Sequence, residues 1–249
     1  LGGSYLDLTD GRNRINVLEP RMWSAEEKEP DPEAPAAFQS GSALSQHIAF
    51  LRDFFRSYKP FTEAEIDTIE IMLGRLYDSR GLRDDTDYSR LSPRDYPILS
   101  DLYDQMDAEY QRVRTGSGGE LYTPELLRSA CLGLHSMCKG ADAKFFNGHT
   151  NIHDTRLITF GVKDLMEGGK NIKDAMLFNV LSYINHALIA GGNTAGIFEE
   201  LHVFLSNPVA VSYIRSAMKR VRKRDSLIGL ASQNIEDFLL PGVAEMTKP

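Results

Sequence analysis

Residues 194–205 read T-A-G-I-F-E-E-L-H-V-F-L, and two consecutive carboxylates, Glu199 and Glu200, interrupt an otherwise apolar stretch. A buried parallel strand is a near-continuous hydrophobic run. Charge that follows such a run falls at its carboxyl end, on the rim where open α/β sheets hold ligands. An acid pair there suits the Walker B chemistry of nucleoside-triphosphate hydrolysis: the first acid holds magnesium through water, and the second orients the water that attacks the γ-phosphate. The same residues also describe a strand followed by an exposed acidic turn.

A second run, Leu227 to Ala231, ends at Ser232 and Gln233. If the two runs are neighbours in a parallel sheet, their polar ends share one rim. Gln233 could then hydrogen-bond a γ-phosphate or the attacking water and sense the state of a nucleotide. Between the runs, Arg215, Lys219, Arg220, Arg222, Lys223 and Arg224 pack six bases into ten residues, with Arg215, Lys219 and Arg222 on one stripe at helical spacing. Three readings fit this run. It could contact the phosphate of a nucleotide held by a neighbouring subunit, line a path for a nucleic acid strand, or complement the dipole at a helix end.

Other reactive residues form no constellation. His149 and His153 have helical ligand spacing, but Gly148, Thr150 and Asn151 argue for a loop, and no acid or cysteine is placed beside them. His135 lies on an otherwise apolar helix and reads as a core residue. His202 follows the acids closely enough to support them. Cys131 and Cys138 lie seven apart in one helix, about 10 Å between Cα atoms, too far for a disulfide, and read as buried thiols of a reducing compartment. No serine or cysteine has a recognisable nucleophile elbow.

The elements that must position these residues can be taken in order. Tyr5 to Leu8 and Ile15 to Leu18 read as two short strands. Residues 24–37 hold five acids, one lysine and three prolines, a solvated connector that cannot bury much. From residue 42 to about 140 the period is helical. Four helices are expected, the first with Ile48, Leu51, Phe54 and Phe55 inward, the second opened by a Thr62–Glu65 capping box, and the fourth capped by Thr123 with Pro124 at its first position. Nothing in this all-α block looks catalytic. From residue 141 the pattern becomes strand, helix, strand. A strand spans residues 157–162. A helix over residues 171–190 is apolar nearly all round except for Asn179, Ser182, Asn185 and His186. A helix opened by Asn207 and Pro208 separates the last two strands, and a short helix over residues 234–240 closes the chain. Alternating strands and helices imply βαβ units and a parallel sheet. The divisions expected are residues 1–23, 24–41, 42–140 and 141–249.

The chain has 249 residues, 42% hydrophobic and 25% charged, which suits one large or two modest globular domains. A net charge of −7 gives no global attraction for nucleic acid, so any such contact must be local. No apolar run approaches the roughly 18 residues needed to span a bilayer. The sequence starts Leu1-Gly2-Gly3 without an initiator methionine, and a fragment of something longer is expected.

These features in this order resemble the AAA-like C-terminal region of the conjugal-transfer ATPases of type IV secretion systems, the VirB-four type found in plasmids and conjugative transposons. The resemblance runs through G-G-S-Y-L-D-L and I-N-V-L near the start, the helical insertion, F-F-N-G-H-T-N-I at 145–152, and R-L-I-T-F-G-V-K-D-L at 156–165. It continues with E-E-L-H at 199–202, K-R-V-R-K at 219–223 and A-S-Q-N-I-E-D-F-L at 231–239, so that it covers nearly the whole chain. It implies an α/β fold, a RecA-like P-loop NTPase domain truncated at its N-terminus and carrying an all-α helical insertion. By resemblance, Glu200 is the catalytic carboxylate, Glu199 the magnesium-side acid, Gln233 the sensor and Arg222 a residue acting in trans. Arg215, Lys219, Arg220 and Lys223 are the remaining candidates for phosphate or nucleic acid contact.

The full-length parent would use ATP and Mg2+, form a hexamer, engage other secretion proteins and single-stranded DNA, and sit in the cytoplasm at the inner face of the membrane. Two departures stand against the match. The family's phosphate-binding loop, G-x-x-x-x-G-K-[ST], is absent from this sequence, since Gly116-Ser117-Gly118-Gly119 lacks the lysine, and Glu199 stands where the family usually has Asp. With no phosphate cradle the fragment itself should bind no cofactor and hydrolyse ATP poorly or not at all. A non-catalytic interaction module of the secretion complex is the alternative.

Overall fold

A computed structural model describes residues 3–23, 32–39, 41–116, 121–152, 155–162, 169–205, 207–239 and 243. It is helix-rich with small parallel sheets. Contacts divide the chain into two compact units, residues 1–20 with 54–176 and residues 21–53 with 177–249. These units interleave along the sequence, whereas the sequence pattern divides at residues 23, 41 and 140. Most of the acidic connector (residues 24–31), residues 117–119 of the Gly/Ser break, His153, Lys163, Asp164 and Leu240 lie outside the described residues.

The four expected long helices are present: α1 (Ala43–Tyr58), α2 (Glu63–Ser79), α3 (Leu99–Arg114) and α4 (Pro124–Cys138). Local chemistry explains their starts. Thr62 Oγ1 accepts the Glu65 N–H while Glu65 Oε2 accepts the Thr62 N–H at 2.7 Å, and Thr123 accepts the Leu126 N–H ahead of Pro124. At the far end of α2, Gly81 takes φ +71°, a left-handed turn that a side chain would strain.

In the first unit α2, α3 and α4 pack on one another, with the short α5 (Ala143–Phe146) against α4. Glu109 of α3 binds this group together. It accepts from Arg112, from Arg75 of α2 at 3.0 Å and from the Tyr122 hydroxyl just before α4, and the three donors hold its carboxyl down at about 2. Cys131 and Cys138 are buried free thiols, pushed up to about 11 and about 12 by that burial.

Strand β1 (Ser4–Asp7) pairs in parallel with β2 (Ile158–Gly161), Ser4 opposite Ile158. The second strand expected over residues 15–18 does not form. Its residues are buried, but its donors go to side chains instead of a ladder: Asn16 N–H to Thr150 Oγ1 at 3.0 Å and Leu18 N–H to Asn16 Oδ1 at 3.1 Å. The 145–152 motif is the other half of this arrangement. Asn147 accepts the Ser100 N–H at the start of α3, and Asn151 both accepts the Arg14 N–H and donates to the Arg12 carbonyl. Its asparagines are connectors.

The second unit centres on Trp23, fully buried, stacked on Phe50 at 4.6 Å and edge-on to Tyr213 at 5.0 Å and Phe38 at 5.5 Å. Helix α6 (Lys170–His186) is shorter than its pattern suggests, because the last turn widens into a π-helical turn, Ala187–Gly191. Strand β3 (Ala195–Phe198) follows, then α7 (His202–Leu205), α8 (Pro208–Val221) and β4 (Leu227–Leu230). The end of α6 lies close on β3: a Cβ at Gly196 would meet Ile184 Cγ2 at 3.3 Å and Leu188 Cδ1 at 3.4 Å. Among the described residues the strands form two separate pairs, β1–β2 and β3–β4, rather than one continuous sheet. No described helix is long and apolar enough to cross a membrane.

Candidate functional site

β3 and β4 are parallel neighbours in the register Ala195 opposite Leu227 and Phe198 opposite Leu230. The ladder runs one step past the strands, with Ala231 N–H donating to Phe198 O at 2.9 Å and Leu201 N–H to Ala231 O at 3.0 Å. The residues that follow each strand are therefore side by side. Glu199 is exposed at the end of β3. Glu200 comes next in a left-handed conformation, φ +53°, unusual for a side chain that is not Gly, Asn or Asp. This sharp turn carries the chain straight into α7, and Val203 N–H closes on Glu200 O at 2.9 Å.

The Gln233 amide Nε2 donates to Glu200 Oε1 at 2.5 Å, joining the ends of the two strands through their side chains. His202 brings Nδ1 to 3.2 Å from Glu200 Oε2 without hydrogen-bond geometry, and Oε2 has no hydrogen-bond partner. Two residues that the sequence pattern did not single out support the β4 side. Ser232 hydrogen-bonds Asp237, which begins to close the 3-10 turn Ile235–Leu239 behind Gln233. The only signal for that pair is a hydroxyl and a carboxylate five residues apart.

The basic run is divided. Asn207 caps α8 by accepting from Val209 and Ala210 N–H groups, and the helix inserts Ala210, Tyr213, Ile214, Ala217 and Val221 into the unit. Arg220 goes in with them: it is buried, donates to Ser216 O at 2.9 Å and lies over the Phe38 ring at 5.0 Å. Arg215 is partly covered, 3.6 Å from Glu33. Lys219, Arg222, Lys223 and Arg224 are exposed, the last three forming a 3-10 turn that ends at Asp225. That turn precedes β4 and is bonded to the start of β3, with Asn193 N–H donating to Arg224 O at 2.9 Å. Glu200 and Gln233 stand at the other end of the same strands, and four residues of strand span about 13 Å. The chain thus brings Glu199, Glu200 and Gln233 together and holds Arg222 and Lys223 apart from them.

Glu200 Oε2 is buried without a hydrogen bond and lies 3.2 Å from His202 Nδ1, while Glu199 beside it is exposed, and two adjacent carboxylates are of the type that suits water and a hard cation. The phosphate side is not met by this sequence, which has no glycine-rich loop with its lysine. Among the described residues no group of three or more His, Cys, Asp and Glu side chains is placed to ligate a metal directly.

No family model matches the chain, and no curated protein matches it. Among solved structures, that of VirB4 of Thermoanaerobacter pseudethanolicus is similar, with 27% sequence identity and a TM-score of 0.78 over 98% of this chain. The match covers 60% of that solved chain. In sequence and in three dimensions alike, the chain is similar to VirB4.

Proposed function

We propose that the chain is part of a secretion ATPase, a RecA-like nucleotide-hydrolysing domain with an all-α insertion that works in an oligomer to drive DNA or protein transfer or pilus assembly. The observation that supports this most is the Gln233–Glu200 hydrogen bond at the joined carboxyl ends of β4 and β3. Magnesium-bound ATP, when present, supplies the cation and the phosphoryl group to be transferred to water. Glu200 would accept a proton of the attacking water at its carboxylate and so aim it, once Oε2, buried and 3.2 Å from His202 Nδ1, opens to water. Gln233 fixes the carboxylate by donating to its other oxygen, so that a shift of β4 is felt at Glu200. Glu199, one residue earlier and exposed, would hold the cation through water. Arg222 acts on the nucleotide of a neighbouring subunit, and Arg215, Lys219 and Lys223 contact phosphate or a nucleic acid strand, while Arg220 supports the helix from inside. The setting proposed is the cytoplasmic face of the membrane.

The test is ATP hydrolysis by a longer polypeptide that carries a Walker A loop ahead of Leu1, beside its Glu200→Gln variant. Turnover should fall at least about a hundredfold in the variant with nucleotide binding retained. Equal turnover in the two forms would overturn the role given to Glu200. A second reading, a non-catalytic interaction module of the secretion complex, is favoured by Glu199 in the place of Asp. No hydrolysis in any form would select it.

A further inference from the structure

The polar stripe of α6 has a partner that nothing in its own sequence reveals. Residues 21–23 run between α1 and α6, and each of their backbone N–H groups is taken by a side chain. Arg21 N–H donates to His47 Nδ1 at 3.3 Å, Met22 N–H to His186 Nδ1 at 3.0 Å and Trp23 N–H to Gln46 Oε1 at 3.0 Å. Asn185 Nδ2 donates to Trp23 O at 3.3 Å, and the Arg21 guanidinium donates to Ser182 Oγ at 2.9 Å. Met22 meanwhile packs into the apolar cluster of Leu188, Ile189 and Val221, beside Ile184 and Ile228. That cluster joins the π-helical turn, the end of α8 and β4.

We infer that residues 21–23 are an acid-released strap, held by the neutral form of His186 and freed when protonation turns its accepting Nδ1 into a donor facing the Met22 backbone N–H. Release withdraws Met22 and Trp23 from the cluster and the aromatic core that support β3 and β4, so the strap governs how firmly the Glu200–Gln233 pair is held. Among the described residues, the titratable and charged groups at the strap include Arg21 on the strap itself, His47 from α1, and Tyr183 and His186 from α6, with Arg21 5.8 Å from the centre of the Tyr183 ring. Burial, and after it the Arg21 charge, lowers His186 to about 4. The imidazole is therefore neutral at pH 7. Because the unfolded chain takes up the proton first, the hold weakens as pH falls from about 6.5 towards 4.

Trp23 is the only tryptophan of the sequence, so its emission reports on the strap directly. Fluorescence and far-ultraviolet circular dichroism of the 249-residue chain, titrated from pH 8 to 3, should show a red shift below about pH 5 while helical signal persists. His186→Gln keeps an acceptor without a titrating group and should remove or displace that step. Arg21→Gln removes the neighbouring cation and should move the step to higher pH. Amide exchange at Met22 and Trp23 in the unaltered chain should accelerate over the same range ahead of the helices. Loss of fluorescence and helical signal together, or a step unmoved in both variants, would overturn the strap.

Discussion

Gln233 and Glu200 are 33 positions apart in sequence and meet through one amide N–H at the ends of paired strands. The pairing fixes the meeting: once Phe198 lies opposite Leu230, the turns that leave β3 and β4 have little choice but to run side by side. Glu200 is held there in a left-handed backbone conformation that costs about 1–2 kcal/mol for an ordinary residue. The hydrogen bond from Gln233 helps to hold this residue in place at the end of its strand.

That strain can be measured. Glu200→Gly should leave the stability of the 249-residue chain unchanged or raise it by about 0.5–1 kcal/mol, because glycine adopts the conformation freely. Glu200→Val should lower it by about 1–2 kcal/mol. Urea unfolding checks both, and a valine variant as stable as the parent would contradict the left-handed assignment.

Glu109 predicts the acid behaviour of the helical unit. Its carboxyl is held near 2, below the ordinary value of 4.5, by Arg112 with Tyr122 and Arg75. The sign follows: this contribution is complete above about pH 4.5 and is lost as pH falls towards 2. Between pH 5 and 2 the parent chain should lose about 2–3 kcal/mol more stability than Glu109→Gln, read from unfolding curves at each pH.

The two thiols should be inert. Burial raises Cys131 to about 11 and Cys138 to about 12, so almost no thiolate exists at pH 8. A disulfide-exchange reagent should leave both unmodified over minutes in the folded chain and titrate both in urea.

Tyr213 separates packing from hydrogen bonding in the aromatic core. Its ring meets Trp23, Phe38 and Phe178, and its hydroxyl donates to Asp53 Oδ2 at 2.9 Å. Tyr213→Phe should cost about 1 kcal/mol, and Tyr213→Ala about 3–5 kcal/mol with a change in Trp23 emission.

What the sequence made legible was local. The capping box at Thr62 and Glu65, the Thr123-Pro124 start and the Asn207-Pro208 start are written in adjacent residues, and all three form as read. The Glu200–Gln233 rim was legible for a different reason, since parallel pairing of consecutive strands forces their ends together. Residues 15–18 were misread because strand-like alternation says nothing of where the N–H groups go, and Asn16 and Thr150 take them. The basic run was legible as charge, but the inward turn of Arg220 depends on Phe38, more than 180 residues away, accepting a guanidinium on its face. The stripe of α6 showed its polarity, and only the fold supplies residues 21–23 as its partner.

The proposal that Glu200 and Gln233 act as one unit in hydrolysis is tested most directly by a double-mutant cycle. ATP turnover would be measured in the Walker A-bearing polypeptide with Glu200→Gln, Gln233→Ala and both together. If Gln233 works by holding the Glu200 carboxylate, the double variant should be no slower than Glu200→Gln alone. Losses that multiply across the two positions would mean that they act independently, and the hydrogen bond between them would then carry none of the mechanism proposed.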